Sequence, residues 1–456
     1  MSASPTRTIA EYASATSASH LPEHVKERTK QIIFDEMACS HFGRRSLAGT
    51  LSARYAAGFA GAQEASILGT ELRVLAPYAA LANGAAGHGE EVDGSHLAGG
   101  HPGASIVHAA VAVGERFRSQ GADIINAVAL GYDLGARVRQ AAGGAYEARR
   151  RLHLHADFLF ALGAALAAGR MLGLDATRIC HALALTTFQS NGLYATYDEK
   201  RHVSKSLCEG QYAFAGVSGA LMSAVGLEGH EDILGAPSGV VAAWGLAPDA
   251  REILTRGLGH DYAVFGANFK FQNAGHPIHA SIEAVLALMR KHRLTAESIS
   301  SIRVGMAEHA LRIVDGRKMH NICLQDMIAA NVARGGLKLV DEPFPAILAD
   351  PGFIRVRPLI TTEVDQDLQR DLPSGLGANV HITTSDGATV TFRVDNPKGH
   401  SLAGGASWPD LDQKWREVYG SQIDRALELT RNLEQLEDVE QLTRAFATIR
   451  PLEHAA

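Results

Sequence analysis

Phe158-Leu159-Phe160-Ala161-Leu162-Gly163-Ala164-Ala165-Leu166-Ala167-Ala168-Gly169-Arg170-Met171-Leu172-Gly173-Leu174 contains no β-branched residue, and its first charge is Arg170. Alanine and leucine favour helix, and small side chains let helices pack closely. The stretch therefore predicts a helix buried on several sides. Its uncharged part, residues 158–169, falls short of the roughly 20 apolar residues a membrane crossing needs. Gly173-Leu174-Asp175 then supplies a stop, and Asp175 can cap a helix starting at Ala176. Segments 78–86, 104–113, 123–138 and 212–225 share this composition, and Gly226 to Gly229 closes the last. The first half reads as an all-helical bundle.

After Gly259 the pattern changes. Residues 298–306 alternate as a strand does, and 379–394 place two β-branched runs around Asp386-Gly387, a hairpin turn in which glycine supplies positive φ. Residues 277–292 and 324–333 read as helices. Beyond Asn396-Pro397-Lys398-Gly399 the chain turns helical again, with Trp408-Pro409 opening one helix and 427–449 amphipathic at helical spacing. The expected fold is mainly α: a helical domain from 1–262 and 399–456, with a smaller α+β domain, 263–398, inserted.

Bulk properties exclude several classes. The 456 residues are 46% hydrophobic and 20% charged with net charge -6, a composition of folded globular chains. The densest basic cluster is Arg149-Arg150-Arg151, too short a footprint for nucleic acid. Cys39, Cys180, Cys208 and Cys323 are far apart, which fits neither a disulfide framework nor a cysteine zinc site and suits a reducing cytoplasm. Residues 1–11 are polar, without a signal core. We expect a cytoplasmic protein with no membrane partner.

Five segments carry possible chemistry. The first runs from Asn83-Gly84 through His88, Glu90, Glu91, Asp93, Ser95 and His96 to His101-Pro102. Its acids and histidines lie beside glycines that allow close ligand approach, against the plain alternative of a solvated acidic loop. The second is His153-Leu154-His155-Ala156-Asp157, where His-x-His also occurs in metal sites and Asp157 could simply cap the buried helix. Third, Lys205 opens a small-residue helix where the dipole disfavours a cation, so an anion facing it, or plain solvent exposure, would account for it. The fourth is 268–279, with Lys270, His276 and His279, set against an ordinary surface loop. The fifth is Asp326, in the first turn of a helix, a position the dipole favours by itself. No GxSxG elbow, phosphate-binding loop or HExxH helix is present.

At these segments the chain resembles the MmgE/PrpD family. The pattern NG..aH..D.DD[ST].....HP is similar to Asn83-Gly84, His88, Glu91, Asp93, Ser95 and His101-Pro102 without gaps. Gly131-Tyr132-Asp133 with Arg137, the helix from Gly163, Lys205 with Gly210, Phe269-Lys270 through His279, and Gly399 to Trp415 follow in the same order. The resemblance implies a helical domain with an α+β lid, a homodimer, no metal or organic cofactor, and a small polycarboxylate substrate. It maps catalytic roles to Glu91, Ser95 and His101, and places Lys205 and Lys270 at the substrate.

The departures are specific. Glutamate stands at 91 for the first aspartate, and Gly94 for the second of the DD pair. Leu154 falls where the family has His-Pro, so His155 or His153 serves only with a one-residue shift. Gly275 precedes His276 where a cysteine or histidine is common, and Asp326 falls where some members carry tyrosine. The expected reaction is a lyase's, a dehydratase-like elimination after removal of a proton α to a carboxylate. Glu91, Ser95, His101, His155 and His276 are its catalytic candidates, and Asp93, Lys205, Lys270, His279 and Asp326 its substrate-binding ones. An epimerase, isomerase or decarboxylase on the same scaffold is the alternative. A metal enzyme using the histidines, or a non-catalytic carboxylate binder, stands further off.

Overall fold

The computed structural model describes residues 4–59, 61–341, 344–370 and 375–452, and its fold is mainly α with one α+β part. Among the described residues the chain forms two compact units. One takes the residues up to Tyr197, His202–Ala267 and Ser407–Arg450. The other takes Asp198–Arg201, Asn268–Ala406 and the residues from Pro451 on.

The first unit is built on helices α1 (Ala76–Gly87), α2 (Pro102–Phe117), α3 (Gly121–Ala141), α4 (Phe160–Met171), α5 (Ala176–Thr187) and α6 (Ser204–Ala224). α6 packs on α1, α2, α4 and α5, and α4 also on α2 and α3. The small residues explain how. A Cβ at Gly210 would lie 2.1 Å from the Leu81 carbonyl oxygen, and one at Gly84 would lie 2.9 Å from Gly210 Cα. Backbone thus touches backbone where α1 crosses α6, just before α1 ends and just after α6 begins. Asp175 caps α5 as expected, accepting from Arg178 N–H at 2.9 Å. Asp157 does not cap α4; it lies in a 3-10 turn, Ala156–Leu159, and spends its carboxylate elsewhere.

The C-terminal segment adds a helix, Trp408–Tyr419, capped by Ser407, whose Oγ accepts from Asp410 N–H. Residues 427–449 are not one helix. Asp424–Arg431 and Glu440–Ala447 are separate, with a short 3-10 turn, Leu433–Gln435, between them. Lys414 in the first of these helices is buried, pairs with Asp35 at 2.7 Å, and donates to the Val92 carbonyl at 3.2 Å. The returning chain thereby pins the loop that carries Glu91 and Asp93.

The second unit holds a four-stranded sheet. β1 (Ile299–Met306) lies between β2 (Ile360–Val364), parallel to it, and β3 (Ala378–Thr384), antiparallel; β4 (Thr389–Val394) pairs with β3. The Asp386-Gly387 hairpin forms as read, with Gly387 at φ 87°. Ile302, Val304, Val380 and Ile382 build one core with Ile282 and Val285 of the His279–His292 helix.

Candidate active site

The site grows from the end of α1. His88 caps that helix and is fully buried, and the loop from there to His101 returns the chain to α2. Glu91 adopts φ 54°, a left-handed conformation costly for a residue with a side chain, and such strain often marks functional positions. The plain alternative of a solvated acidic loop does not hold. Glu91, Asp93, Ser95 and His101 are all buried, and only Glu90 reaches outward, to Arg45 at 3.3 Å.

Glu91 meets the start of α6. Its Oε1 lies 2.5 Å from Lys205 Nζ and 2.9 Å from His202 Nε2. Lys205 also reaches His88 Nε2, and its ammonium sits 5.3 Å from the centre of the Tyr197 ring. The cation at the helix start therefore faces an anion. Burial alone would lower the Lys205 pKa, but Glu91, with Asp93 and Glu209, outweighs it and raises the value above that of ordinary lysine.

Asp93 is the second centre. Its carboxylate lies 2.9 Å from His88 Nδ1 and 3.1 Å from His101 Nδ1, and the two imidazoles lean together with centroids 4.1 Å apart. Burial, with the Lys205 ammonium adding to it, holds His88 well below the usual histidine range. His88 is thus neutral, donating Nδ1–H to Asp93 and accepting from Lys205 at Nε2. That carboxylate and the Gly94 carbonyl, 3.2 Å from His101 Nδ1, are both acceptors; together they select the Nδ1–H tautomer of His101 and leave Nε2 as its basic nitrogen, the arrangement that makes a histidine a general base.

His101 is anchored a second way: its backbone N–H donates to Asp157 Oδ2 at 3.2 Å. The loop reaches Asp157 through Gly100, at φ 82°, where a Cβ would fall 2.4 Å from Asp157 Oδ1. Of the two histidines left open by the sequence, His155 is the buried one and His153 is exposed. His155 Nε2 lies 3.3 Å from Tyr197 Oη and 3.6 Å from Asp157 Oδ2, and burial lowers its pKa to about 4.

The structure thus gathers Glu91, Asp93, His101, Lys205 and His155 in one buried cluster, with Ser95 on the short strand Ser95–His96 of the same loop. It adds His88 and Asp157, singled out in the sequence but not assigned to catalysis or substrate binding, and His202 and Tyr197, which had no role there. His88 and His202 did leave a signal: one lies five residues before Asp93, the other three before Lys205, in the turn that leads into α6. Close groups such as His88, Glu91 and His202, or His88, Asp93 and His101, have the composition of a metal site. Yet the first already surrounds the Lys205 ammonium, and the second is joined by N–H···O contacts, so neither is read as a ligand set.

In the second unit, Lys270 is fully buried, and His276 and His279 are buried with ring centroids 5.4 Å apart. His279 Nε2 lies 3.1 Å from the Ala274 carbonyl, and His400 adds a third imidazole 5.6 Å from His276. Asp326 is held between His320 Nδ1 at 2.6 Å and Arg357 Nε at 2.5 Å. Burial opposes its ionisation, but these two partners outweigh it and depress its pKa. That makes Asp326 half of an internal ion cluster.

Comparison with known proteins bears on the whole chain. The MmgE/PrpD N-terminal domain matches residues 7–252 and the MmgE/PrpD C-terminal domain residues 273–438. A cis-aconitate decarboxylase of Homo sapiens is 24% identical, over 96% of this chain and 93% of its own length. A cis-aconitate decarboxylase of Aspergillus terreus is 25% identical, over 95% and 94%. Both family domains occur here in order, and the protein belongs to the MmgE/PrpD family of enzymes.

Proposed function

We propose that the protein is a lyase acting on a small di- or tricarboxylate, without a metal or organic cofactor, through a carbanion formed beside a substrate carboxylate. The observation that carries this reading is Asp93 between His88 and His101. A buried carboxylate that, with the Gly94 carbonyl, fixes Nδ1–H of His101 leaves Nε2 to take or give a proton at carbon. In the elimination, the C–H electron pair forms the new C=C bond as its proton passes to His101 Nε2. The neighbouring C–O bond breaks, and the leaving oxygen takes that proton on from His101 Nε2 and departs as water. Lys205 supplies positive charge where the substrate carboxylate gathers negative charge, the preorganised stabilisation that lowers such barriers most. Glu91, already the counter-ion of Lys205, positions that cation. Ser95 and His276 remain further catalytic candidates, and the family resemblance adds Lys270 and His279 as contacts to substrate.

A second reading, decarboxylation, is favoured by the full-length match to cis-aconitate decarboxylases. There the C–C bond to a carboxylate breaks, carbon dioxide leaves, and the electron pair delocalises into the unsaturated acid before carbon takes a proton from His101. Citrate-, aconitate-, malate- and aminosuccinate-type acids, assayed without added cofactor, distinguish the two. Water loss appears as new double-bond absorbance, decarboxylation as released carbon dioxide. Solvent deuterium entering unchanged substrate, with neither product, would point instead to an isomerase and overturn both.

A further inference from the structure

Two buried carboxyl groups under the site have no part in that chemistry. Asp157 is 2% exposed and Glu209, one turn beyond Lys205 on α6, is fully buried. Both border the His155 ring: Asp157 Oδ2 lies 3.6 Å from its Nε2, and a Glu209 carboxyl oxygen lies within 4.8 Å of one of its nitrogens. Two carboxylates buried side by side have four acceptor oxygens and no donor, so burial and mutual repulsion favour a proton on one of them.

The surroundings decide which. Asp157 faces His101 N–H at 3.2 Å, His155 Nε2 at 3.6 Å and Arg139 Nη2 at 3.8 Å. Among the described residues Glu209 accepts only from the Ser105 hydroxyl, at 3.3 Å on Oε2, and its buried Oε1 has no donor facing it. The groups acting on Glu209 across the packed elements are Asp157, Asp93 and Arg139, with Lys205, Cys208 and Tyr212 on its own helix. Burial, then the charge of Asp157, raises Glu209 well above the usual carboxyl range. Burial works against Asp157 too, but His155, Arg139 and His101 outweigh it and keep Asp157 ionised.

We propose that Asp157 and Glu209 share one proton, with Glu209 a neutral acid donating to Asp157, and that this pair positions His101 and His155. An Asp157 held by Glu209 presents one fixed oxygen to both the His101 backbone and the His155 ring. The shared proton is independent of the reaction; its service to the two histidines rests on the function proposed above.

Infrared spectroscopy of the whole enzyme at about pH 8, where ordinary carboxyls are ionised, tests the proton directly. The wild type should show a protonated-carboxyl stretch that Glu209→Gln lacks. Linkage gives a second reading. Between the unfolded glutamate value, about 4.3, and its raised folded value, wild type keeps a proton that the unfolded chain releases. Its stability relative to Glu209→Gln should therefore fall with rising pH, by about tenfold in the folding equilibrium per pH unit. For positioning, Glu209→Leu should lower kcat about 10- to 100-fold with KM little changed, and Glu209→Gln, which keeps an N–H donor, should recover most of that loss. No protonated-carboxyl band in the wild type at pH 8 overturns the shared proton, whether or not any variant folds. A stability difference flat with pH overturns it equally. Equal kcat for the Leu and Gln variants overturns the positioning role while leaving the proton in place.

Discussion

His101 and Asp93 are the residues on which the chemistry turns. His101→Gln removes the basic nitrogen and should lower kcat on the order of 10²–10⁴-fold, with thermal unfolding little changed; steady-state kinetics beside a melting curve checks both. Asp93→Asn keeps the shape but no longer enforces the Nδ1–H tautomer of His88 and leaves that of His101 to the Gly94 carbonyl alone, and should cost kcat more than KM. Lys205 tests a different link. It is buried against Glu91, so Lys205→Met strands a buried anion and should destabilise the fold by about 3–5 kcal/mol. Lys205→Met with Glu91→Gln should recover much of that stability without activity, measured as a double-mutant cycle; additive losses would mean the pair does not interact. At this scale, spacing in the sequence pointed to Glu91, Asp93, Ser95, His101 and Lys205. It could not pair them, because an ion pair between residues 91 and 205 depends on a helix crossing that no local pattern encodes. Asp157 was read as a possible cap for the same reason: its partners, His101 and Arg139, are distant in the chain.

That crossing belongs to the elements. Gly210→Ala would press a methyl into the Leu81 carbonyl where α1 meets α6, and overpacking of this kind costs about 1–3 kcal/mol. Because Lys205 and His88 sit at the two ends meeting there, the variant should lose activity beyond its loss of stability, seen as lower kcat at temperatures where it remains folded. Small-residue composition made these helices legible, and the Asp386-Gly387 turn made β3 and β4 legible. β2 was not read. It is five residues long, follows Arg357-Pro358, and takes its place only by parallel pairing with β1, more than fifty residues earlier. The break in 427–449 escaped notice because its apolar residues keep helical spacing across a 3-10 turn, so periodicity sees one stripe where the backbone makes two helices.

Across the whole molecule, buried histidines set the response to acid. Burial lowers His41, His96 and His155 to about 4 and His108 to about 3. Each stays neutral in the fold but takes a proton on unfolding below about pH 6.5. The unfolded state then binds more protons, so stability falls as pH drops from about 6.5 toward 4, by up to about 1.4 kcal/mol per unit for each histidine. Melting curves across that range should shift steeply downward well before carboxylates titrate; a midpoint constant down to pH 5 would show the histidines are not neutral in the fold. Family membership was legible across the chain because its motifs keep their order, while the altered Glu91 and Gly94 left the reaction open. The most direct test of the central claim is turnover of a tricarboxylate panel, without added cofactor, by wild type and His101→Gln side by side. The account predicts water or carbon dioxide released from at least one acid by wild type and none above background by the variant. Equal turnover by the two proteins, or turnover that chelation abolishes and a metal restores, would contradict it.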